Sequence, residues 1–485
     1  MAQYDIDDLK AKRLCHNCVF EHYLSVEIRV KGESLDCSYC NETAMAYRIS
    51  KIAELIETAF NQHYMRTSDQ PNSWQSMLLA DRESKYEWDR EGEPVVDAIM
   101  NAADMPEDAA RDVQRILEDK HYDHESAKMG DETEFSSDSY YAEKGPSDQA
   151  WQEEWDSFEK SLKTEARFFS QTAAKLLASV FDGIDAMRTH DDRPLVVDVG
   201  PKTAFTSVYR ARVFQSDEKL EEALCRPDLH LGGPTALLAT AGRMNARGIS
   251  VFYGANDPEV AIAEVRPPVG SQVAVARFEI IKPLRMLDLT ALGAVSSKGS
   301  VFDPQFTGRL EREMFLRSLS KHMTRPIMPD DEAFEYLPTQ AVADFLASET
   351  RLDGILFPSV QVAGNALNIV LFHKAARVLA IDLPLGTEIS ANTGFMGEDG
   401  WEIDYSVIEE VLPPVEIVVD QKETKPPLFM PLIREAAEQY DSDGREPALS
   451  VVLDSVKVHK IRSVRFEAGE FGVTRHRFEK RDPPY

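Results

Sequence analysis

The chain lacks any apolar run approaching the ~20 consecutive residues that a membrane-spanning helix requires. Its start, MAQYDIDDLKAKR, is acidic where a secretory signal would be basic and then apolar. Cysteine is scarce: five in 485 residues cannot make a disulfide scaffold. Positive charge is also short, with 54 Lys and Arg against 83 Asp and Glu, a formal net charge of −29, and no Lys/Arg run. Such a field repels a phosphate backbone at long range, which argues against nucleic acid as a partner. From these absences the expectation is a cytoplasmic protein that does not enter a membrane. What is present, 43% hydrophobic and 28% charged residues, is the composition of a globular chain. Its length implies about two to four domains.

Four regions follow along the sequence. Residues 1–50 carry four of the five cysteines. Residues 51–190 alternate helical patterns with acidic polar stretches. Ile49, Ile52, Leu55, Ile56 and Phe60 recur at helical spacing, and 93–119 read as two helices broken at Pro106, with Met105 pushed towards an extended conformation. The polar stretch 121–145 reads as a loop, and 151–184 as one long helical run. From 195 to 375 the pattern changes. Short β-branched and aromatic segments (LVVDVG, SVYRARVF, ISVFYGA, VAVARFEI, GILFPS) alternate with helical ones such as PEVAIAEV, predicting a mixed α+β domain. Residues 376–485 keep strand-like segments, EIVVD and LSVVLDSVKVHKIRSVRF, and end in a tail without chemical motifs.

Cys15-His-Asn-Cys18 and Cys37-Ser-Tyr-Cys40 are two C-x-x-C knuckles 18 residues apart, the spacing of a zinc site. A closed set of four thiolates leaves no coordination position for a substrate, so the expected role is structural. Further on, Arg115 and His121 fit an R-x₄₋₆-H spacing. It resembles that of HEPN-type ribonucleases, but any Arg and His pair meets so loose a spacing by chance, and a solvated helix face is the expected reading.

The densest chemistry lies between Arg243 and Glu264, which places a cation, the hydroxyl of Tyr253 and a carboxylate in one glycine-bounded segment. Arginine suits phosphate because its planar fork donates bidentately and stays charged, so Arg210 and Arg243 can clamp a pyrophosphate, with Asn245 as a neutral donor. A carboxylate such as Glu264 can stabilise an oxocarbenium-like centre, and Tyr253 offers a flat face to an aromatic leaving group. Ser359 is expected to give a hydroxyl hydrogen bond, since no activating base is evident.

An ordered set of segments carries a resemblance. Tyr209-Arg210 comes first, then Gly242-Arg243-Met244-Asn245 with Gly248, Tyr253 and Glu264. Pro338-Thr339-Gln340, Asp353 to Ser359, and Asn365 with Asn368 follow. Over about 200–375 this resembles the RES domain family, whose toxins act on NAD. Met244 departs from the aromatic usual in the family, and the segment between Arg210 and Arg243 is longer. The resemblance implies an ADP-ribosyltransferase-like α+β fold behind a zinc ribbon and a HEPN-like helical module. It implies NAD as substrate, with Arg243, Tyr253, Glu264 and Ser359 catalytic, and Tyr209, Arg210, Asn245, Gln340 and Asn365 binding. For Gln340 and Asn365, turn and cap roles serve as well. The expected reaction is cleavage of the nicotinamide–ribose bond by hydrolysis or phosphorolysis in a toxin or defence setting. The alternatives are protein ADP-ribosylation or a HEPN-type RNA-binding or RNA-cleaving role. An antitoxin partner and a homo-oligomer are further implications.

Overall fold

A computed structural model describes residues 5–411 and 443–477, except 82, 166, 168, 169, 329, 363, 398, 399, 466 and 467. The strand-like EIVVD segment lies outside the described residues, as does the end of the tail. No described helix is long and apolar enough to cross a membrane. The chain divides into two compact units: residues 1–195 with 290–323, and residues 196–289 with 324–485.

In the first unit, Ile49–His63 is a helix burying Ile49, Ile52, Ile56 and Phe60, the stripe read from the sequence. The helices Val95–Ala103 and Glu107–Lys120 meet at a break where Asp104 adopts left-handed φ of 45° and Pro106 caps the second helix. Met105 between them is buried. Knuckle and helix side chains share one apolar core, in which Cys15, Cys18 and Cys37 pack with Ile52, Phe60, Val113 and Leu117.

Two local expectations fail here. The 121–145 stretch is not wholly loop: it contains the helix His124–Met129 and the strand Tyr140–Glu143. That strand forms because Tyr64–Arg66 and Glu93–Pro94 pair with it on its two sides, partners remote in sequence. The run 151–184 is two helices, Gln149–Thr164 and Gln171–Val180. Ser170 starts the second by accepting a hydrogen bond from the Ala173 N–H, a cap that a periodicity count overlooks.

The second unit is built on an eight-stranded mixed sheet. Its order is Leu449–Lys460, Gln272–Ile280, Ser207–Phe214, Phe252–Ala255, Leu367–Leu371, Gly354–Pro358, Leu284–Asp288 and Val196–Val199. Among the described strand pairs of this sheet only Leu284–Asp288 and Gly354–Pro358 run parallel. The two-residue period sorts side chains to two faces: Ala274, Ala276 and Phe278 enter one core, while Val273 and Val275 join Ala211 and Ala255 in the other. Residues after 376 contribute the edge strand Leu449–Lys460, which pairs along Gln272–Ile280.

Candidate functional site

The central sheet opens where the site lies. Ser207–Phe214 and Phe252–Ala255 pair at the single position Tyr209↔Ala255. A cavity of about 430 Å³ is lined from the first strand by Tyr209, Arg210 and Ala211, and from the second by Tyr253 and Gly254. Glu264, Arg243, Tyr336 and Asn368 line it too. Residues far apart in sequence thus meet at one break in the sheet.

Glu264 ends the helix Pro258–Glu264. The helix start is written in the sequence: Asp257 caps it by accepting from the Glu259 N–H at 2.8 Å, and Pro258 sits in the first turn. A carboxylate at a helix C-terminus faces the negative end of the helix dipole. Donors from elsewhere offset this. The Ser359 hydroxyl donates to Glu264 Oε1 at 2.5 Å and the Asn368 amide to the same oxygen at 2.8 Å. Oε2 carries no hydrogen bond from the described residues. One oxygen is anchored and the other is left for chemistry.

The Arg243 segment is a tight turn in which the Gly242 and Asn245 backbones bridge. A Cβ on Gly242 would lie 2.7 Å from both Asn245 Oδ1 and the Tyr253 hydroxyl oxygen, so only glycine fits. Tyr253 holds the turn by accepting from the Met244 N–H at 3.0 Å and donating to Asn245 Oδ1 at 2.9 Å. The buried Asn245 amide nitrogen donates to the carbonyls of Thr240, Ala246 and Ile249. From the helix Leu337–Glu349, Thr339 donates to the Arg243 carbonyl at 2.6 Å and Gln340 to the Gly242 carbonyl at 2.8 Å. The Arg243 guanidinium lies 5.3 Å from the centre of the Tyr336 ring.

Three arginines, Arg210, Arg243 and Arg266, line the cavity against two carboxylates, Glu264 and Glu332. The Arg210 side chain is half-buried and keeps a face on the cavity, and burial, with Arg212 nearby, lowers its pKa to about 10. Its Nη1 is buried with no hydrogen-bond partner among the described residues, and its guanidinium lies 4.8 Å from the centre of the Phe252 ring. Burial also lowers Arg243, against the opposing pull of Tyr336 and Tyr253. Burial drives the Tyr253 phenol up to about 12, so it stays neutral.

The structure therefore brings Tyr209, Arg210, Arg243, Tyr253 and Glu264 to one cavity, with Ser359 attached to it through Glu264. Asn245 and Gln340 are next to the cavity but spend their amides on backbone carbonyls. Asn365 is exposed and is not among the lining residues. Tyr336 and Arg266, which lines the cavity with left-handed φ of 45°, were not singled out from sequence. Asn368 appeared in the motif without an assigned role; its strand register opposite Ala255 supplies one.

In the first unit, the Cys15 sulfur lies 3.6 Å from those of Cys18 and Cys40, and Cys18 is 3.9 Å from Cys37. All four lie within 4.8 Å of one another. Four thiolates at about 2.3 Å around one tetrahedral ion would be about 3.8 Å apart, so the donor set fits a metal. Burial works against the Cys37 thiolate, but backbone N–H groups of Tyr39 and Cys40 bring it down to about 7. His121, the partner in the R-x₄₋₆-H spacing, is held by Glu57 at 2.7 Å, and Arg115 is exposed.

Comparison with known proteins agrees with this architecture. The RES domain family model matches residues 209–389, and that of HEPN/RES N-terminal domain 1 matches residues 31–175. No curated protein and no solved structure matches the chain. The chain thus carries a RES domain, with a HEPN/RES N-terminal domain ahead of it.

Proposed function

We propose that this protein consumes NAD by breaking its nicotinamide–ribose bond. The observation that carries this reading is Glu264, with one carboxylate oxygen anchored by Ser359 and Asn368 and the other unbonded, in a cavity shared with Arg210 and Arg243. The RES match supports an NAD-related toxin or defence function.

In this reading the two arginines bind the pyrophosphate; their partial desolvation makes each contact stronger than it would be in water. Bond cleavage sends the electron pair to nicotinamide and leaves a cationic ribose C1′. Glu264 stabilises that charge electrostatically. Ser359 and Asn368 act by fixing the carboxylate. Tyr253 contributes its ring, because its hydroxyl is committed to Met244 and Asn245. Asn245, Thr339 and Gln340 set the turn that presents Arg243. Water or phosphate then captures the ribosyl group, and a protein nucleophile in its place would make the enzyme an ADP-ribosyltransferase. The four cysteines hold a structural zinc, with no part in the reaction.

The test is the purified chain incubated with labelled NAD in phosphate buffer. Free nicotinamide with ADP-ribose or its phosphate supports degradation, and label on protein supports transfer. No release of nicotinamide overturns the proposal.

A further inference from the structure

A second cavity, of about 400 Å³, lies wholly within the first unit and has no part in the chemistry above. One wall is a single face of the helix Phe306–Thr324 with the residue before it, since Gln305, Gly308, Arg309 and Arg312 recur at three- and four-residue spacing. Opposite are Trp151 and the end of the Gln171–Val180 helix with Ser179 and Asp182.

Arg312 is the unusual member. Among the described residues its Nε is buried without a hydrogen-bond partner, and one terminal nitrogen donates only to the Met187 sulfur at 3.4 Å. Sulfur is a weak acceptor, and a buried N–H left unpaired costs stability unless something accepts from it. Arg309, one turn earlier, is tied to Asp303 at 2.7 Å through one nitrogen and keeps further donors. Gly308 leaves the floor open, for a Cβ there would meet nothing within 4 Å.

We propose that this cavity is a binding site for a nucleoside phosphate, separate from the RES cavity. Each part of such a ligand meets a suitable group. The phosphate oxygens accept from Arg312 and Arg309, which supply the fork geometry that phosphate prefers. Asp182, exposed and without a partner among the described residues, accepts from ribose hydroxyls. Ser179 spends its proton on the Leu176 carbonyl and can only accept, which suits the same hydroxyls. The indole of Trp151, already backed by Phe315 at 5.7 Å, offers a stacking platform for a base. The volume lies in the range of small-ligand sites. The assignment depends on these side chains and not on the reading of the RES cavity.

Calorimetric titration of the full chain with AMP tests it, with adenosine and inorganic phosphate as separate probes. Because AMP can also enter the RES cavity, every titration is repeated in Arg243→Gln. The site in the first unit is expected to persist in that variant and to weaken by about 10–100-fold in Arg312→Gln, the loss typical of a charge-assisted contact. Gly308→Phe, which fills the cavity from an open position and leaves the core intact, is expected to abolish it even if Arg312→Gln folds poorly. Trp151→Leu should weaken AMP and leave inorganic phosphate unchanged. AMP binding that Gly308→Phe leaves intact, or that vanishes with Arg243→Gln alone, overturns the proposal. Phosphate binding as tightly as AMP overturns the nucleoside assignment.

Discussion

Replacing Arg210 by Met should leave the fold as stable as before or more stable, while removing ligand affinity. The side chain is half-buried at the cavity wall, its Nη1 has no partner among the described residues, and burial lowers its pKa to about 10. A base whose folded value lies below its unfolded one destabilises the folded state at every pH below the folded value. At pH 7 the whole penalty is therefore present, about 3 kcal/mol on the linkage relation. The stacking of the guanidinium on Phe252 returns about 1–2 kcal/mol. Methionine keeps much of the volume and carries no charge. The net expectation is a gain of about 1–2 kcal/mol, or roughly 2–8 °C for a unit of this size. Scanning calorimetry of the full chain measures it, with ADP-ribose added in a second scan. Ligand at a hundredfold over its dissociation constant should stabilise the native protein by about 2.7 kcal/mol and leave the variant unmoved. A lower melting temperature in the variant, with ligand stabilisation intact, would refute the reasoning, because Arg210 would then be a paired structural residue.

Other consequences are direct. Asn368→Ala and Ser359→Ala each remove one donor to Glu264 Oε1; each should lower kcat about 10–100-fold with little change in KM, measured as nicotinamide release. Elemental analysis should find one zinc per chain, absent in Cys18→Ser, whose first unit should melt earlier because the knuckles share its core. Burial raises Tyr253 to about 12, so its neutral form is favoured in the fold. Its contribution is intact below the ordinary phenol value of about 10 and is lost as pH rises through the folded value. Alkaline unfolding curves should show that loss, and Tyr253→Phe should remove it.

Much of the site was legible because its residues sit beside strong local signals. Asp257-Pro258 announces the helix that ends at Glu264, and glycine at 242 announces the turn that carries Arg243. VAVARFEI, short and rich in β-branched and aromatic residues, announces a strand, which the fold buries on both faces. What sequence hides is the partner of each amide. Asn245 and Gln340 have the chemistry of ligand donors, but tertiary structure presents them with backbone carbonyls first. Asn368 reaches Glu264 only through strand register, and Tyr336 reaches Arg243 only through the placement of a helix start. The strand Tyr140–Glu143 was invisible for the same reason, since its partners are more than 40 residues away.

The central claim rests on the Glu264 carboxylate. Glu264→Gln keeps the shape and replaces the charge, so it separates charge stabilisation from binding. The rate of nicotinamide release from NAD should fall by about 10²–10⁴-fold, while ADP-ribose still raises the melting temperature as it does for the native chain. An unchanged rate would contradict the account.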